Sequence, residues 1–90
     1  MEELSELRRL IDGTDRRMAA LFEERMALSR RVAQYKKERG IPVKDEERER
    51  ELLSHCGERL RDKALTEYYR QLLRAVIDIS CDYQEEVLKK

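Results

Sequence analysis

The fold is decided by residues 4–35, which read LSELRRLIDGTDRRMAALFEERMALSRRVAQY. Steps of three and four residues separate the members of one stripe, which consists of Leu4, Leu7, Ile11, Thr14, Met18, Leu21, Arg25, Leu28, Val32 and Tyr35. Such spacing places side chains on one face of an α-helix, in the a and d positions of a coiled-coil seam. Because residues 3–39 contain no proline, the sequence predicts one helix of that length, with Gly13 as its weak point.

A helix of this length is too long for a chain of 90 residues to cover by itself. Its rise of 1.5 Å per residue gives roughly 50 Å, whereas a compact domain of this size has a radius of gyration of ~12 Å. The uncovered seam needs an apolar partner, and a second copy of the chain supplies one along its whole length. The sequence therefore predicts a dimer in which two long helices pack along each other.

Two shorter helices follow the long one. The segment 40–43, Gly-Ile-Pro-Val, ends the long helix, since glycine is the usual residue after a helix and proline cannot continue it. Asp45 is expected to cap a second helix that ends near Arg61, and Thr66 is expected to cap a third. No stretch has the pattern of a strand. The predicted fold is therefore all-α, with one domain over residues 1–90 and three helices that form an intertwined homodimeric bundle.

The composition argues against several classes of function. The chain has 20 basic and 20 acidic residues, so it has no general attraction to nucleic acid or to an anionic membrane. It has no apolar stretch of membrane-spanning length, and its acidic first residues lack the apolar run of a signal peptide. We therefore expect a cytoplasmic protein that binds neither nucleic acid nor membrane.

The cysteines and the histidine do not predict a metal site. Cys56 and Cys81 lack the spacing of metal ligands, and two cysteines are too few for a disulfide framework. His55 and Cys56 are neighbours on a predicted helix, where adjacent side chains point apart. We expect an exposed histidine beside a buried thiol, with neither a metal nor another cofactor.

Polar residues interrupt the apolar stripes of the first and third helices. Arg25 occupies a seam position, where a charge costs stability unless it is paired or binds an anion. Ser80 and Gln84 lie one turn apart inside the stripe that contains Val76 and Val87. Two alternatives stay open: Arg25 serves only to fix the register of a coiled coil, and Ser80 and Gln84 form only interhelical hydrogen bonds.

Arg8 and Lys36 flank the seam on the same edge. Lys36 follows Arg25 by 11 residues, which is about three helical turns on nearly one face. Arg8 precedes Arg25 by 17 residues, roughly 25 Å, so it reaches the same pocket only from an antiparallel partner helix. In the alternative interpretation, both flanking residues form exposed salt bridges of small value.

The start of the second helix adds further polar groups. Asp45, Arg48 and Glu49 share one helix face with Leu52, although an exposed helix start with ordinary salt bridges has the same pattern. Together the polar residues supply many donors and one acid, Glu49, which suits a small dianion that carries a hydroxyl group. The sequence offers no nucleophile with an adjacent base and no glycine-rich phosphate loop, so a reaction without covalent participation of the protein fits best.

Five segments, in order along nearly the whole chain, resemble the all-helical chorismate mutases. They are residues 7–15 (LRRLIDGTD), 24–25 (ER), 32–36 (VAQYK), 42–49 (PVKDEERE) and 80–84 (SCDYQ). The fourth segment, of the form Pro-Val-x-Asp-x-x-Arg-Glu, is the most specific. The resemblance implies an intertwined homodimer with two active sites, which rearrange chorismate to prephenate without a cofactor.

The resemblance also implies a role for each candidate residue. Arg25 and the partner's Arg8 clamp the two carboxylates of the substrate, and Ser80 reaches one of them. Lys36 and Gln84 hydrogen-bond the ether oxygen whose bond to the ring breaks.

The remaining candidates complete the expected pocket. Asp45 and Glu49 lie at the ring hydroxyl, and Arg48 supports the site. The apolar walls are formed by Val32, Ile77 and Cys81. Cys81 departs from the family pattern, in which a branched apolar residue is more usual at this position.

Two other functions compete with this interpretation. An isochorismate-pyruvate lyase has the same fold, but such relatives generally lack the acid that corresponds to Glu49. A non-enzymatic helical dimer would fit the regular seam and the balanced charge. It would leave Arg25 in the seam, and Ser80 and Gln84 in the third stripe, without an explanation.

Overall fold

The computed structural model describes residues 3–89, and these confirm the predicted all-α fold. Helix α1 spans Leu4–Arg39, α2 spans Glu46–Ser54 and α3 spans Thr66–Leu88. Two 3₁₀ turns, Cys56–Arg59 and Lys63–Leu65, connect α2 to α3. Within the described residues there is no strand, and none of the helices is both long and apolar enough to cross a membrane.

Helix α1 is unbroken over its 36 residues, and Gly13 lies within it. The chain measures 58 × 29 × 15 Å, and its radius of gyration of 16.4 Å exceeds the ~12 Å of a compact domain of this length. The helix ends at Gly40, whose φ of 67° lies in the left-handed region. There the N–H of Ile41 donates to the carbonyl of Lys36 at 2.8 Å, which closes the last turn.

Substitution by alanine is expected to have opposite effects at Gly13, which lies within α1, and at Gly40, which follows the C-terminus of α1. A Cβ added at Gly13 or at Gly40 meets no atom within 4 Å, so only the backbone conformation differs between them. We expect Gly40→Ala to lower the free energy of unfolding by about 1 kcal/mol, since a Cβ is strained at this φ. We expect Gly13→Ala to raise it by about 0.5–1 kcal/mol through helix propensity. Urea denaturation of both variants checks this pair, and a neutral or stabilising Gly40→Ala would contradict it.

The predicted end of the second helix near Arg61 is wrong. The α-helix ends at Ser54 and gives way to the 3₁₀ turn Cys56–Arg59. Gly57 lies within this turn, where the side chain of Thr66 lies only 2.8 Å from the position of a Cβ added to that glycine. This close approach brings the start of α3 against the end of α2.

The prediction for the N-cap of α2 is confirmed, and that for α3 is wrong. The side chain of Asp45 accepts a hydrogen bond from the backbone N–H of Arg48 at 3.0 Å. Thr66 is instead the first residue of α3, and its hydroxyl donates to the carbonyl of Lys63 at 2.8 Å. The capping side chain stands earlier, at Asp62, which accepts from the N–H of Ala64 and begins the 3₁₀ turn that leads into α3.

The buried core of the single chain is small. Cys56, Leu73 and Ile77 form its centre, where α3 packs against α2 and the first 3₁₀ turn. The exposed His55 beside the buried Cys56 is as predicted. Ala33 is fully buried on α1, which packs along α3. All three helices therefore meet at the end of the molecule where α1 ends and α2 begins.

The apolar seam of α1 is left uncovered by the chain's own residues. Its members are between 38% and 63% exposed, namely Leu4, Leu7, Ile11, Met18, Leu21, Leu28, Val32 and Tyr35. A wide apolar groove continues this surface between α1 and α3, with Phe22, Leu72 and Val76 among its walls. The exposed area is what the predicted dimer would bury.

Candidate active site

A cavity of about 300 Å³ lies where the three helices meet. Every predicted site residue except Arg8 lines it, namely Arg25, Val32, Lys36, Asp45, Arg48, Glu49, Ile77, Ser80, Cys81 and Gln84. The spacing of the candidates on each helix therefore places them on one concave surface. A cavity of this volume is at the small end of the range for ligand pockets, which suits a compact molecule.

Arg8 lies elsewhere on the chain. It is exposed on the first turns of α1, 17 residues before Arg25 on the same continuous helix. At the rise of an α-helix this separation is roughly 25 Å, so the chain's own Arg8 does not reach the cavity. Its predicted contact with the substrate requires a second copy of the chain.

Arg25 and Ser80 are hydrogen-bonded to each other across α1 and α3. A guanidinium nitrogen of Arg25 donates to the hydroxyl oxygen of Ser80, which is buried and also contacts the Met26 sulfur at 3.9 Å. Ser80 thus forms an interhelical hydrogen bond in this structure, which is one of the alternatives that the sequence left open. A guanidinium has five N–H donors, so this contact leaves Arg25 able to bind an anion in the cavity as well.

The ammonium of Lys36 is held at a defined position. Its Nζ donates to the backbone carbonyl of Val43 at 2.8 Å, and Val43 belongs to the connection between α1 and α2. Gly40 turns the chain back to bring this carbonyl within reach. An ammonium carries three donors, so the tether uses one of them and restrains the others.

Gln84 has a buried amide with an unused acceptor. The residue is 8% exposed, and no described residue hydrogen-bonds its Oε1. Leaving a buried polar atom unpaired costs about 1–3 kcal/mol. Within the described residues Oε1 therefore forms no interhelical hydrogen bond, and the amide nitrogen of Gln84 is the group that can donate to a ligand.

Glu49 is a buried carboxylate between two cations. Lys44 Nζ lies 3.0 and 2.9 Å from its two oxygens, and a guanidinium nitrogen of Arg74 lies 2.6 Å from Oε1. The hydrogen bond from Arg74, followed by that from Lys44, holds the pKa of Glu49 below its usual range despite burial. Glu49 is therefore ionised at neutral pH and can accept a hydrogen bond from a hydroxyl group.

Comparison with known proteins assigns the family. Residues 7–85 match the family Chorismate mutase type II. The chain belongs to this family.

Two curated relatives agree with the assignment. Over 87 residues the chain is 32% identical to the bifunctional chorismate mutase/prephenate dehydratase of Aquifex aeolicus, a match to 88% of this chain and 24% of that protein. Over 50 residues it is 42% identical to the chorismate mutase of Methanocaldococcus jannaschii, a match to 56% of this chain and 50% of that protein. The chain thus spans half or less of these relatives' lengths. No solved structure matches it.

The charged side chains around the pocket of this chorismate mutase type II family member are predominantly positive. Arg25, Lys36 and Arg48 line it, while Lys44 and Arg74 compensate Glu49. Arg48 stands at the exposed rim, where it also pairs with Glu51 at 3.2 Å. An excess of fixed donors over acceptors favours a ligand with more than one negative charge.

The thiol of Cys81 contributes a neutral wall to the pocket. Its Sγ lies 3.8 Å from Oε2 of Glu49. Burial, followed by the charge of that carboxylate, raises the pKa of Cys81 above its usual value. The residue therefore stays a neutral thiol at neutral pH and lines the cavity, where its role as an apolar wall remains a prediction.

Sequence analysis missed several residues of the site. Ser29 is buried and lines the cavity, and its spacing of four, three and seven residues from Arg25, Val32 and Lys36 places it on their face. The same spacing rule relates Arg74 to Ile77 and Cys81. For both residues the pattern of i, i+3 and i+7 was the available signal.

Proposed function

We propose that this chain catalyses the rearrangement of chorismate to prephenate, in a pocket that a second copy of the chain completes. The observation that carries the proposal is the convergence of Arg25, Lys36 and Gln84 on one cavity in a member of this family. The reaction needs no cofactor. Its product leads to phenylalanine and tyrosine, and we propose the cytoplasm as its location.

The reaction is a positioning task for the protein. In one step a C–O bond breaks and a C–C bond forms within the same molecule, so the substrate must be held in a compact, chair-like shape. Arg25 and the partner's Arg8 would grip the two carboxylates, since a guanidinium fork binds a carboxylate at two points. Ser80, which Arg25 already contacts, would reach one of them. Holding the substrate in this orientation lowers the activation barrier, because the entropy of reaching the reactive shape is lost on binding and not in the reaction step.

Lys36 and Gln84 would supply the electrostatic part of catalysis. Negative charge builds on the ether oxygen as the C–O bond lengthens. An ammonium tethered to the Val43 carbonyl and the N–H group of the buried Gln84 amide would bind it more strongly in the transition state than in the ground state. Because its tether already fixes the Lys36 ammonium, that group needs little reorganisation during the step.

The acidic end of the pocket would receive the ring hydroxyl. Glu49 is the acceptor, and Asp45 lies beside it at the start of α2. Arg48 would close the rim. The apolar walls would be formed by Val32, Ile77 and Cys81, which exclude water from the substrate ring.

The dimer is supported by the uncovered seam of α1. Two long helices packed antiparallel would bury this surface and bring Arg8 of one copy to the cavity of the other. Such a twofold arrangement makes two equivalent sites. Each site would then contain residues of both copies.

Product analysis tests the proposed reaction against its nearest rival. Purified protein is supplied with chorismate in one reaction and with isochorismate in another, and the products are identified by chromatography. We expect prephenate from chorismate. Salicylate and pyruvate from isochorismate, without prephenate from chorismate, would assign the lyase function instead.

The neutral amide of Gln84 predicts a flat pH profile. An amide does not titrate, and the lowered pKa of Glu49 keeps that carboxylate ionised until the pH falls below the usual range for a glutamate. We expect kcat/KM to stay nearly constant between about pH 6 and pH 8. A collapse of activity within this interval would contradict the role of Gln84.

The variant Gln84→Glu provides the matched comparison. A glutamate at this position donates a hydrogen bond to the ether oxygen only when it is protonated. We expect its kcat/KM to fall about tenfold per pH unit above the pKa of that carboxyl. Rate measurements across the pH range check this difference, and a wild-type-like profile for the variant would show that position 84 does not donate to the ether oxygen.

A further inference from the structure

We propose that Arg74 is a positioning residue, which holds the Glu49 carboxylate at the place where it accepts the substrate's ring hydroxyl. The proposal rests on the proposed function. Arg74 belongs to α3 and is not among the residues that line the cavity, so it would act through Glu49 and not on the substrate.

The contacts around Glu49 leave it little freedom. Arg74 donates to Oε1 at 2.6 Å, while Lys44 Nζ lies 3.0 Å from Oε1 and 2.9 Å from Oε2. Arg74 itself is braced one turn along α3, because the same nitrogen donates to Asp78 at 2.7 Å. The carboxylate is thus held between the connection that precedes α2 and the middle of α3.

These contacts also limit the number of acceptor positions that remain on the Glu49 carboxylate. A carboxylate offers about four lone-pair directions, and the N–H contacts from Arg74 and Lys44 occupy three of them. About one direction is then left, on Oε2, where the weak Cys81 thiol is the further neighbour at 3.8 Å. Glu49 is therefore prepared to accept one hydroxyl in one orientation.

Because Glu49 is buried, its negative charge depends on close cations, one of which is Arg74 from α3. The side chain of Glu49 is 9% exposed, whereas those of Arg74 and Lys44 are 41% and 55% exposed. A carboxylate at this depth loses much of its hydration, so it stays charged only with close partners. The hydrogen bond from Arg74 is the largest cause that lowers the pKa of Glu49, ahead of that from Lys44.

Every element around the cavity adds charged or titratable groups near Glu49. Helix α1 brings Arg25 and Lys36, the connection brings Lys44 and Asp45, α2 brings Arg48, and α3 brings Arg74, Asp78 and Cys81. Of these, Arg74 and Lys44 form the ion pairs with Glu49. Removing Arg74 therefore leaves Lys44 as the cation that pairs with the Glu49 carboxylate. The side chain of Lys44 is more exposed than that of Arg74.

The experiment compares Arg74→Gln and Arg74→Lys with wild type in the full chain, by kcat, KM and the pH dependence of kcat/KM. We expect Arg74→Gln to lower kcat/KM for chorismate roughly 10- to 100-fold at neutral pH, mainly in kcat. Its activity should also be lost at a higher pH on the acid side, because the pKa of Glu49 rises without Arg74. Arg74→Lys should restore the acid side of the profile and part of kcat, since it restores the charge but not the guanidinium nitrogen that contacts both Glu49 and Asp78.

Arg70→Gln is the control, one turn earlier on the same helix. Arg70 pairs with Glu67 and donates to the carbonyl of Leu53 at 3.2 Å, with no contact to Glu49. We expect this variant to lower thermal stability but to keep the wild-type pH profile and kcat/KM. Equal losses in Arg70→Gln and Arg74→Gln would overturn the proposal in favour of a purely structural role.

The outcomes separate the two proposals. An active wild type with an unchanged Arg74→Gln profile would overturn the role of Arg74 alone. A folded wild type with no activity on chorismate would overturn the proposed function and this role with it. If Arg74→Gln does not fold, Arg74→Lys decides, because a wild-type kcat in that variant would show that the guanidinium nitrogen of Arg74 does not position Glu49.

Discussion

Replacing Lys36 by alanine is expected to lower kcat/KM for chorismate roughly 1,000-fold, the largest loss that we expect from a single substitution. The ammonium is the one full positive charge that we assign to the ether oxygen. Its tether to the Val43 carbonyl fixes it before the reaction begins. Since the interaction strengthens only as charge develops on that oxygen, the loss should fall mainly on kcat and leave KM little changed. Initial rates of chorismate loss over a range of concentrations measure both constants.

Lys37→Ala is the matched control for this result. Lys37 is the next residue of α1, is exposed and does not line the cavity. The same charge is removed from the same turn, so the net charge and the helix end change equally in both variants. We expect wild-type kcat and KM from Lys37→Ala. Similar losses in both variants would contradict a specific contact between Lys36 and the substrate.

Arg8→Ala is expected to lower kcat/KM about 100-fold, although Arg8 lies outside the cavity of its own chain. The loss would come from a charged contact to a substrate carboxylate that only the second copy provides. Arg9→Ala is the control, because Arg9 is its exposed neighbour and pairs with Glu6 on the same helix. We expect little change from Arg9→Ala. Normal activity of Arg8→Ala would contradict the donated arginine.

Mixing two inactive variants tests whether each site contains residues of both copies. A mixed dimer of Arg8→Ala and Lys36→Ala subunits contains one site in which both residues are intact and one site in which both are missing. After denaturation and joint refolding, we expect roughly a quarter of wild-type activity, since half of the dimers are mixed and half of their sites are intact. Activity no higher than the sum of the separate variants would contradict a shared site.

Periodicity predicted most of the fold and most of the pocket. The seam over residues 4–35 predicted a helix from residue 3 to residue 39, and α1 spans Leu4–Arg39. Arg25 and Lys36 line one cavity as their separation of 11 residues requires. Helical spacing is local and regular, so the face of each candidate is fixed once the helix exists.

The boundaries between α2 and α3 depended on contacts that spacing does not reveal. The α-helix ends at Ser54, and Gly57 in the following 3₁₀ turn lies against Thr66, which follows it by nine residues. Asp62 caps the 3₁₀ turn that precedes α3, whereas Thr66, which was predicted to cap α3, is its first residue. The approach of Gly57 to Thr66 is a tertiary contact, whereas the Asp62 cap is a local hydrogen bond between a side chain and the backbone.

The partners of Glu49 were also beyond local patterns. Arg74 follows Glu49 by 25 residues, and the turn that joins their helices sets their distance. Helical spacing places Arg74 on the face of Ile77 and Cys81, but it does not identify Glu49 as its partner. Its contact with a buried carboxylate becomes visible only when α2 and α3 are packed together.

The most direct test of the account is the rate at which the ultraviolet absorbance of chorismate disappears at neutral pH. The wild-type protein, verified as folded and dimeric, is compared with protein-free buffer and with Lys36→Ala. We expect rapid, saturable loss of chorismate with wild type, formation of prephenate, and a rate near background with Lys36→Ala. A wild-type rate no faster than buffer would contradict the central claim that this pocket rearranges chorismate.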